Sequence, residues 1–438
     1  SMDALVHEHR IIRKATLRLV PFLCACYITA FLDRVNVGFA ALQMQSDLRF
    51  SDTVYSFGAG IFFIGYFFFE VPSNVILEKV GARVWIARIM ILWGLISSSM
   101  MFVQTPGAFY ALRFLLGAGE AGFFPGIILY LTYWFPSEYR SRTVALFMTA
   151  AAISGVIGGP VSGLLLDHPQ FGLRGWQWLF LIEGIPAVLL GIAVLVYLPN
   201  GPREARWLTS DERSWLAARM DAERDERQRL SGHMSLGQTL ANRKVLLLSF
   251  VYFLLVIGGY GLDMFMPKIL ALAFPDVTRS TLGLIAAIPP LCTVPVMVLW
   301  GRHSDRTRER NWHVALAAWC AAAGLALGSF NVAPGIAVVA LSLAVIGRWS
   351  SIPPFWGLPT AFLSGTSAAG GIAMINSIGN LGGFVGPYVM GTLKDLTGDY
   401  SLGLRLLAAA FVFGGLLALR VHPKPAVERG GVGAAVSP

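Results

Sequence analysis

The 438 residues are 55% hydrophobic and only 13% charged, with a mean hydropathy of +0.63. Soluble domains carry about 25% charged residues, so the composition excludes an ordinary soluble domain and indicates a polytopic membrane protein. The formal net charge of +9 would suit a nucleic-acid binder, but its placement along the chain excludes that as well.

Apolar runs predict twelve spanning helices, at about 17–43, 54–77, 84–103, 108–134, 142–166, 176–198, 245–272, 280–300, 313–330, 335–358, 366–393 and 402–421. Between the sixth and seventh lies the long polar stretch Pro199–Lys244. Its segment WLTSDERSWLAARMDAERDERQRL, with Thr209 and Ser210 placed to cap it, predicts a helix on the cytoplasmic surface. The expected organisation is an N-terminal six-helix bundle over 1–198, a linker over 199–244, a C-terminal six-helix bundle over 245–424 and a flexible tail over 425–438. Ser1 ahead of Met2 is set aside as an expression scar, and no cleavable signal is expected. On this layout 25 of the 34 Lys and Arg fall on the side of the termini and linker, six fall opposite, and Arg34, Arg113 and Arg348 lie within spans. That asymmetry puts both termini in the cytoplasm. The expected partner is a lipid bilayer, not nucleic acid. Cys24, Cys26, Cys292 and Cys320 lie in apolar segments without zinc-site spacing, so no metal or disulfide framework is expected.

The first helix carries FLDRVNVGFA, Phe31–Ala40, with Asp33, Arg34 and Asn36 in its interior. A charge at that depth costs about 2.5–3.5 kcal/mol even on insertion scales, so each needs a partner or an aqueous cavity. Adjacent residues point about 100° apart on a helix, so Asp33 and Arg34 cannot simply satisfy each other. Either neighbouring helices neutralise both to hold the bundle together, or a proton carrier sits beside an anion anchor. After the second helix comes NVILEKVGAR, with Glu78, Lys79, Gly81 and Arg83; after the eighth comes GRHSDRTRER, with Asp305, Arg306 and Arg310. Both follow G-x-x-x-D/E-K/R-x-x-x-R except that Asn74 replaces the first glycine. An acid at one helix end and bases at the next can latch two helices in one state. In the fourth helix Arg113 and Glu120, seven apart, share a face. Whether such a carboxylate holds a proton depends on its burial and on the nearest arginine. The GAGEAG run there, Gly117–Gly122, has no strand before it, so it reads as close helix packing and not a dinucleotide site.

Taken together these stretches resemble the major facilitator superfamily. Through FLDRVNVGFA, GYFFFEVPSN, RFLLGAGEAGFFPG and GWQWLFLIEGIP the chain resembles, more narrowly, the anion:cation symporter family. It is most similar there to the tartrate, phthalate and hydroxyphenylacetate permeases, with sugar-acid carriers such as the galactonate transporter more distant. The resemblance implies an all-α fold of two pseudo-symmetric six-helix bundles that rock about a central site. It also implies Asp33 and Glu120 as proton-coupling acids and Arg34 as a substrate contact, with Trp356 and Asn376 matching substrate-binding positions. The glycines of GVIGGPVSG in the fifth helix resemble a motif linked to antiporters, yet such faces also occur in symporters.

Other residues are read on their chemistry. Tyr66 offers a hydroxyl to a carboxylate, and Arg113 joins the substrate-binding set. Glu70 and Glu183, nearer helix ends, read as caps or interhelix hydrogen bonds. In the tenth helix Pro353–Pro354 should break the chain beside Trp356, and in the eleventh Asn376, Ser377 and Asn380 stand amid glycines. Such broken helices near midplane are where transporter sites form. Arg348 departs from the family pattern, with Asp263 as its candidate ion-pair partner. The function expected is proton-coupled uptake of a small organic anion, a hydroxy-dicarboxylate of the tartrate type, in a bacterial-type inner membrane. Protons are the coupling ion, no cofactor or enzymatic motif is expected, and the chain is expected to work as a monomer. The alternatives are an aromatic carboxylate or sugar acid as substrate, anion exchange, and a membrane sensor without transport.

Overall fold

Lipid offers a backbone N–H or C=O nothing to bond to, so apolar runs of this length must close their hydrogen bonds internally as helices. The computed structural model describes residues 2–230, 236–362 and 366–421. They form α1 (Met2–Val35), α2 (Val37–Leu48), α3 (Asp52–Val80), α4 (Ala82–Ser99), α5 (Pro106–Glu120), α6 (Phe123–Thr132), α7 (Ser137–Leu166), α8 (Gly175–Tyr197), α9 (Ser210–Leu230), α10 (Leu236–Ala241), α11 (Arg243–Ala273), α12 (Arg279–Thr307), α13 (Asn311–Gly328), α14 (Pro334–Ser350), α15 (Ile352–Phe362), α16 (Thr366–Asn380), α17 (Gly382–Thr397) and α18 (Ser401–Ala418). Ten stretches among the described residues are long and apolar enough to cross a membrane. The 18-residue α13 and the interrupted α16–α17 pair stand at the ninth and eleventh expected positions.

Several spans are built from two helices, and their breaks have chemical causes. In the fourth span Gly122 takes φ +84°, a left-handed conformation that ends α5 just after Glu120. The sequence reading of GAGEAG accounted only for packing, and that part is sound for Gly117. An added Cβ there would lie 1.8 Å from the Phe62 carbonyl oxygen, so α5 and α3 meet backbone to backbone. The tenth span breaks at Ser351, ahead of Pro353–Pro354. The prolines sit in the first turn of α15, where a missing N–H costs nothing, and they cannot donate back to the Trp349 and Ser350 carbonyls that end α14. The eleventh breaks at Leu381 and the first at Asn36. The first span also begins far earlier than residue 17, since the N-terminal segment continues the helix back to Met2.

The linker folds onto that N-terminal extension. Thr209 Oγ1 accepts from the Glu212 amide at 3.3 Å, and Glu212 Oε2 accepts from the Thr209 amide at 3.2 Å, a reciprocal cap at the start of α9. Glu212 is also bridged by Lys14 at 2.8 Å, with Arg10 4.0 Å away. Burial alone would raise this carboxyl, but the Lys14 and Thr209 hydrogen bonds and the Arg10 charge hold it below the usual carboxylate range.

The two halves meet along α7 and α12, where a Cβ added at Gly283 would lie 2.1 Å from the Gly159 carbonyl oxygen. The glycines of the fifth span thus serve this crossing. Further bonds join the halves at the same end. Tyr55 Oη donates to the Met264 carbonyl at 2.6 Å, Lys268 bonds Asp52 and Gln45, and the Thr53 amide donates to Asp395 at 2.7 Å. Asp167 accepts from the Ser280 amide at 2.6 Å.

Two outcomes test this account. Gly117→Ala should destabilise the protein by about 1–3 kcal/mol through overpacking. Gly119→Ala, whose added Cβ would find its nearest neighbour at 3.5 Å, should melt near wild type; equal melting of the two variants in detergent would refute the assignment. Because the Glu212 carboxyl is depressed in the folded protein, its stabilisation is present above the ordinary value of about 4.3 and is lost as pH falls through the lowered one. Glu212→Gln should therefore melt below wild type at pH 7, with the gap closing on acidification.

Candidate functional site

The site is organised by Arg34, in the last turn of α1. Its Nε donates to Glu120 Oε1 at 3.1 Å, its Nη2 bonds the same oxygen, and its Nη1 donates to Tyr260 Oη at 2.7 Å. The guanidinium carbon also lies 5.3, 5.4 and 5.7 Å from the ring centroids of Phe62, Tyr66 and Phe31, within range of cation–π attraction. Glu120 is the last residue of α5, so the Gly122 turn fixes where its carboxylate can reach. Glu120 Oε2 is buried with no hydrogen-bond partner.

Asp33 turns away, as the angle between adjacent helical residues requires. Its Oδ2 accepts from Trp93 Nε1 on α4 at 3.0 Å, while Oδ1 is buried without a partner. The two acids expected to couple protons therefore have different partners: Glu120 pairs with Arg34, and Asp33 stands against an indole. Arg113 is 1% exposed and spends its guanidinium on backbone carbonyls, those of Gly58 (3.2 Å), Ala59 (3.0 Å) and Arg34 (3.4 Å). It braces α3 and α1 from behind and does not line the cavity.

That cavity lies between the halves. Tyr27, Phe31, Arg34 and Tyr66 line it from one side; Tyr252, Tyr260, Arg348, Trp356, Asn376 and Asn380 line it from the other. Arg348 donates Nη2 to Asp263 Oδ2 at 3.0 Å and stacks 3.8 Å from the Trp349 ring centroid. The Arg348 and Arg34 guanidinium carbons are 5.1 and 6.0 Å from the centroid of the Tyr260 ring. Tyr260 is thus within cation–π range of two arginines from opposite halves. Asn380 donates to the Asn376 carbonyl at 2.9 Å and to its side-chain oxygen at 3.1 Å. Asn376 and Ser377 each donate to Glu70 at 2.7 Å, so Glu70 bonds between helices across the halves and is not a cap. Glu183 accepts from the Ser162 hydroxyl at 3.0 and 3.1 Å.

In the loop after the eighth span an acid near the end of α12 meets a base at the start of α13. Asp305 is bridged within its own loop by Arg310 at 2.5 Å, while Arg306 and Lys79 are exposed. The Arg83 amide donates to Asn200 at 3.2 Å. The Glu78 side chain lies outside the described residues. Sequence reasoning missed Tyr260 and Trp93. Tyr260 sits one turn before Asp263, the one signal that could have placed it on that face; Trp93 in an apolar run carries no signal.

Comparison with known proteins fits this architecture. The chain is 52% identical to a protein of Agrobacterium vitis named "Putative tartrate transporter", covering 97% of each chain. It is 46% identical to "Putative metabolite transport protein NicT" of Pseudomonas putida, covering 94% of each. Among solved structures it shares its fold with an inward-facing, occupied bacterial homologue of the human lysosomal transporter Spinster, at TM-score 0.72 and 16% identity, over 92% of this chain and 97% of that one. It shares it equally with the partially occluded inward-open xylose transporter XylE of E. coli, at TM-score 0.72 and 13% identity, over 93% and 99%. Residues 23–387 match the Major Facilitator Superfamily, and the chain belongs to that superfamily of multi-pass membrane transporters.

Proposed function

We propose that this protein imports a small hydroxy-dicarboxylate of the tartrate type together with protons. It would do so across a bacterial cytoplasmic membrane, with both termini inside. The observation that carries the reading is the placement of Arg34 and Arg348 on opposite walls of one cavity, 6.0 and 5.1 Å from a single tyrosine ring. Their guanidinium carbons are therefore at most about 11 Å apart. A four-carbon dicarboxylate has three C–C bonds of about 1.5 Å between its charged ends, and a bidentate hydrogen-bonded pair adds a few ångströms at each end. That upper bound is within the reach of such an anion, and the relative named for tartrate supports the same substrate class.

Coupling follows from competition for Arg34. A substrate carboxylate can claim the guanidinium fork only if Glu120 yields it, and a protonated Glu120 yields it without leaving a buried charge unpaired. Asp33, sealed against Trp93, is the second acid of the cycle. Arg113 is a positioning residue that acts through the Arg34 and α3 backbone. Tyr66, Asn376, Asn380 and Trp356 complete the substrate wall. A second reading has its own support: Phe31, Tyr66, Tyr252 and Trp356 all line the cavity and could clasp an aromatic monocarboxylate.

Proteoliposomes with an inward-directed proton gradient should accumulate labelled tartrate above its external concentration. Asp33→Asn and Glu120→Gln should each abolish that accumulation while sparing counterflow exchange; full uphill uptake by both variants would sink the coupling assignment. Arg34→Lys should weaken binding of any carboxylate at least about tenfold, because an ammonium cannot reproduce the fork. Arg348→Ala should separate the two readings. Thermal-shift titration should show a dicarboxylate losing most of its affinity and an aromatic monocarboxylate little. Equal loss for both, with a lower melting temperature, would make Arg348 structural.

A further inference from the structure

The Asp263–Arg348 pair repeats, in the second half, the arrangement of Arg34 and Glu120 in the first. Asp263 lies on α11, the first span of its half, as Arg34 lies on α1. Arg348 lies in the last turn of α14, the fourth span of its half, as Glu120 ends α5. Both α5 and α14 break directly beyond the charged residue. Acid and base have exchanged helices, but each wall of the cavity presents one arginine and hides one carboxylate behind it.

The two partners face different spaces. Arg348 lines the central cavity, whereas Asp263 lines a second one with Asn36, Ser162 and Glu183. Three atoms around this boundary are buried without hydrogen-bond partners: Asn36 Oδ1, Asn36 Nδ2 and Arg348 Nε. Arg348 therefore holds its carboxylate through Nη2 and has a donor left unused, short of the paired fork a guanidinium can make. Its carbon skeleton has little room to retreat, since a Cβ added at Gly259 would lie 2.7 Å from Cζ.

The charged and titratable groups around Asp263 are few. Arg348 comes from α14, Arg34 from α1 and Glu183 from α8 across the second cavity. Tyr260 is one turn away on its own helix. The α7 and α12 surfaces there contribute Gly155, Ser162 and Pro290 but no ionisable group.

We propose that Asp263 is a further proton-binding site, loaded when the distal carboxylate of a dicarboxylate takes Arg348 from it. This rests on the dicarboxylate reading above. In the exchange the guanidinium stays charged and changes partner, from the Asp263 carboxylate to the substrate carboxylate. Asp263 takes one proton from water and becomes neutral, so one negative charge and one proton arrive together and no buried charge is left unpaired. A monocarboxylate held at Arg34 leaves the Asp263–Arg348 pair intact and brings no such proton. The second carboxylate of the substrate thus carries its own proton.

The test is calorimetric titration of the detergent-solubilised protein with tartrate and with glycerate, a monocarboxylate analogue. Titration in buffers of different ionisation enthalpy gives the protons taken up per ligand bound. Wild type should take up about one proton more with tartrate than with glycerate, and its tartrate affinity should fall as pH rises. In Asp263→Asn that difference should vanish, the pH dependence of tartrate binding should fall to that of glycerate, and tartrate should bind about tenfold more tightly at pH 8 because no anion competes for Arg348. If that variant does not fold, Asp263→Asn with Arg348→Gln removes both charges and should lose the extra proton and the preference for tartrate. An extra proton that persists in either variant, or is missing in wild type, overturns the inference alone. A wild-type protein that binds glycerate but not tartrate overturns the dicarboxylate reading as well.

Discussion

A guanidinium placed at membrane depth cannot be left unpaired, and the centre of this molecule is arranged around that constraint. Arg34 is 6% exposed, and its charge is met by Glu120, by the Tyr260 hydroxyl and by the faces of several rings. A buried ion pair of this kind is weak support for stability, since desolvation offsets most of the attraction. Removing either partner, by contrast, leaves a charge stranded. Such a pair suits exchange: it can be opened only by something that supplies a replacement anion and neutralises the displaced one. A proton and a carboxylate together do both.

The backbone is broken where this chemistry needs it. Gly122 interrupts the fourth span just past Glu120, Ser351 interrupts the tenth just past Arg348, and Leu381 interrupts the eleventh just past Asn380. A straight helix would keep its carbonyls and amides paired and its side chains on a fixed spiral. A break frees backbone groups and re-aims the side chains beside it, at a cost tolerable only where protein or water, and not lipid, surrounds them. Close packing elsewhere offsets that cost. At Gly117 and along the Gly159–Gly283 crossing, helices approach to distances that no side chain would permit.

Much of this was legible in the chain. The all-helical class, the location of the linker helix and its Thr209 cap, and the family itself follow from hydropathy, capping chemistry and motif, whereas ten of the twelve expected spans are long and apolar enough among the described residues. Asp33 and Arg34 were marked by depth alone, and their divergence follows from helical geometry. Their partners were not legible, because nothing in an apolar run says which neighbour will present an indole or a carboxylate. Trp93 is therefore visible only in three dimensions. Arg113 shows the opposite failure: an arginine on the same face as Glu120 looked like a ligand contact, yet it is consumed by carbonyls of α3 and α1. Gly122 was counted among packing glycines because sequence does not distinguish a glycine chosen for its missing side chain from one chosen for its positive φ.

Coupling between ligand and conformation can be traced through hydrogen bonds at the cavity floor. Asn380 and Asn376 line the cavity, Asn380 donates to Asn376, and Asn376 donates to Glu70 in the other half. Glu70 lies one turn beyond Tyr66 on α3, while Tyr55, three turns back along the same helix, bonds Met264 across the other contact between the halves. The helix that presents Tyr66 to the cavity is thus fastened to the opposite half on both sides of it. A ligand group that bonds Asn376 competes with a bond that joins the halves, and the terms of that competition are local: one amide, two candidate acceptors. Rocking of the bundles need not be transmitted over a distance, because the residues that meet the ligand are bonded directly to the residues that hold the halves together.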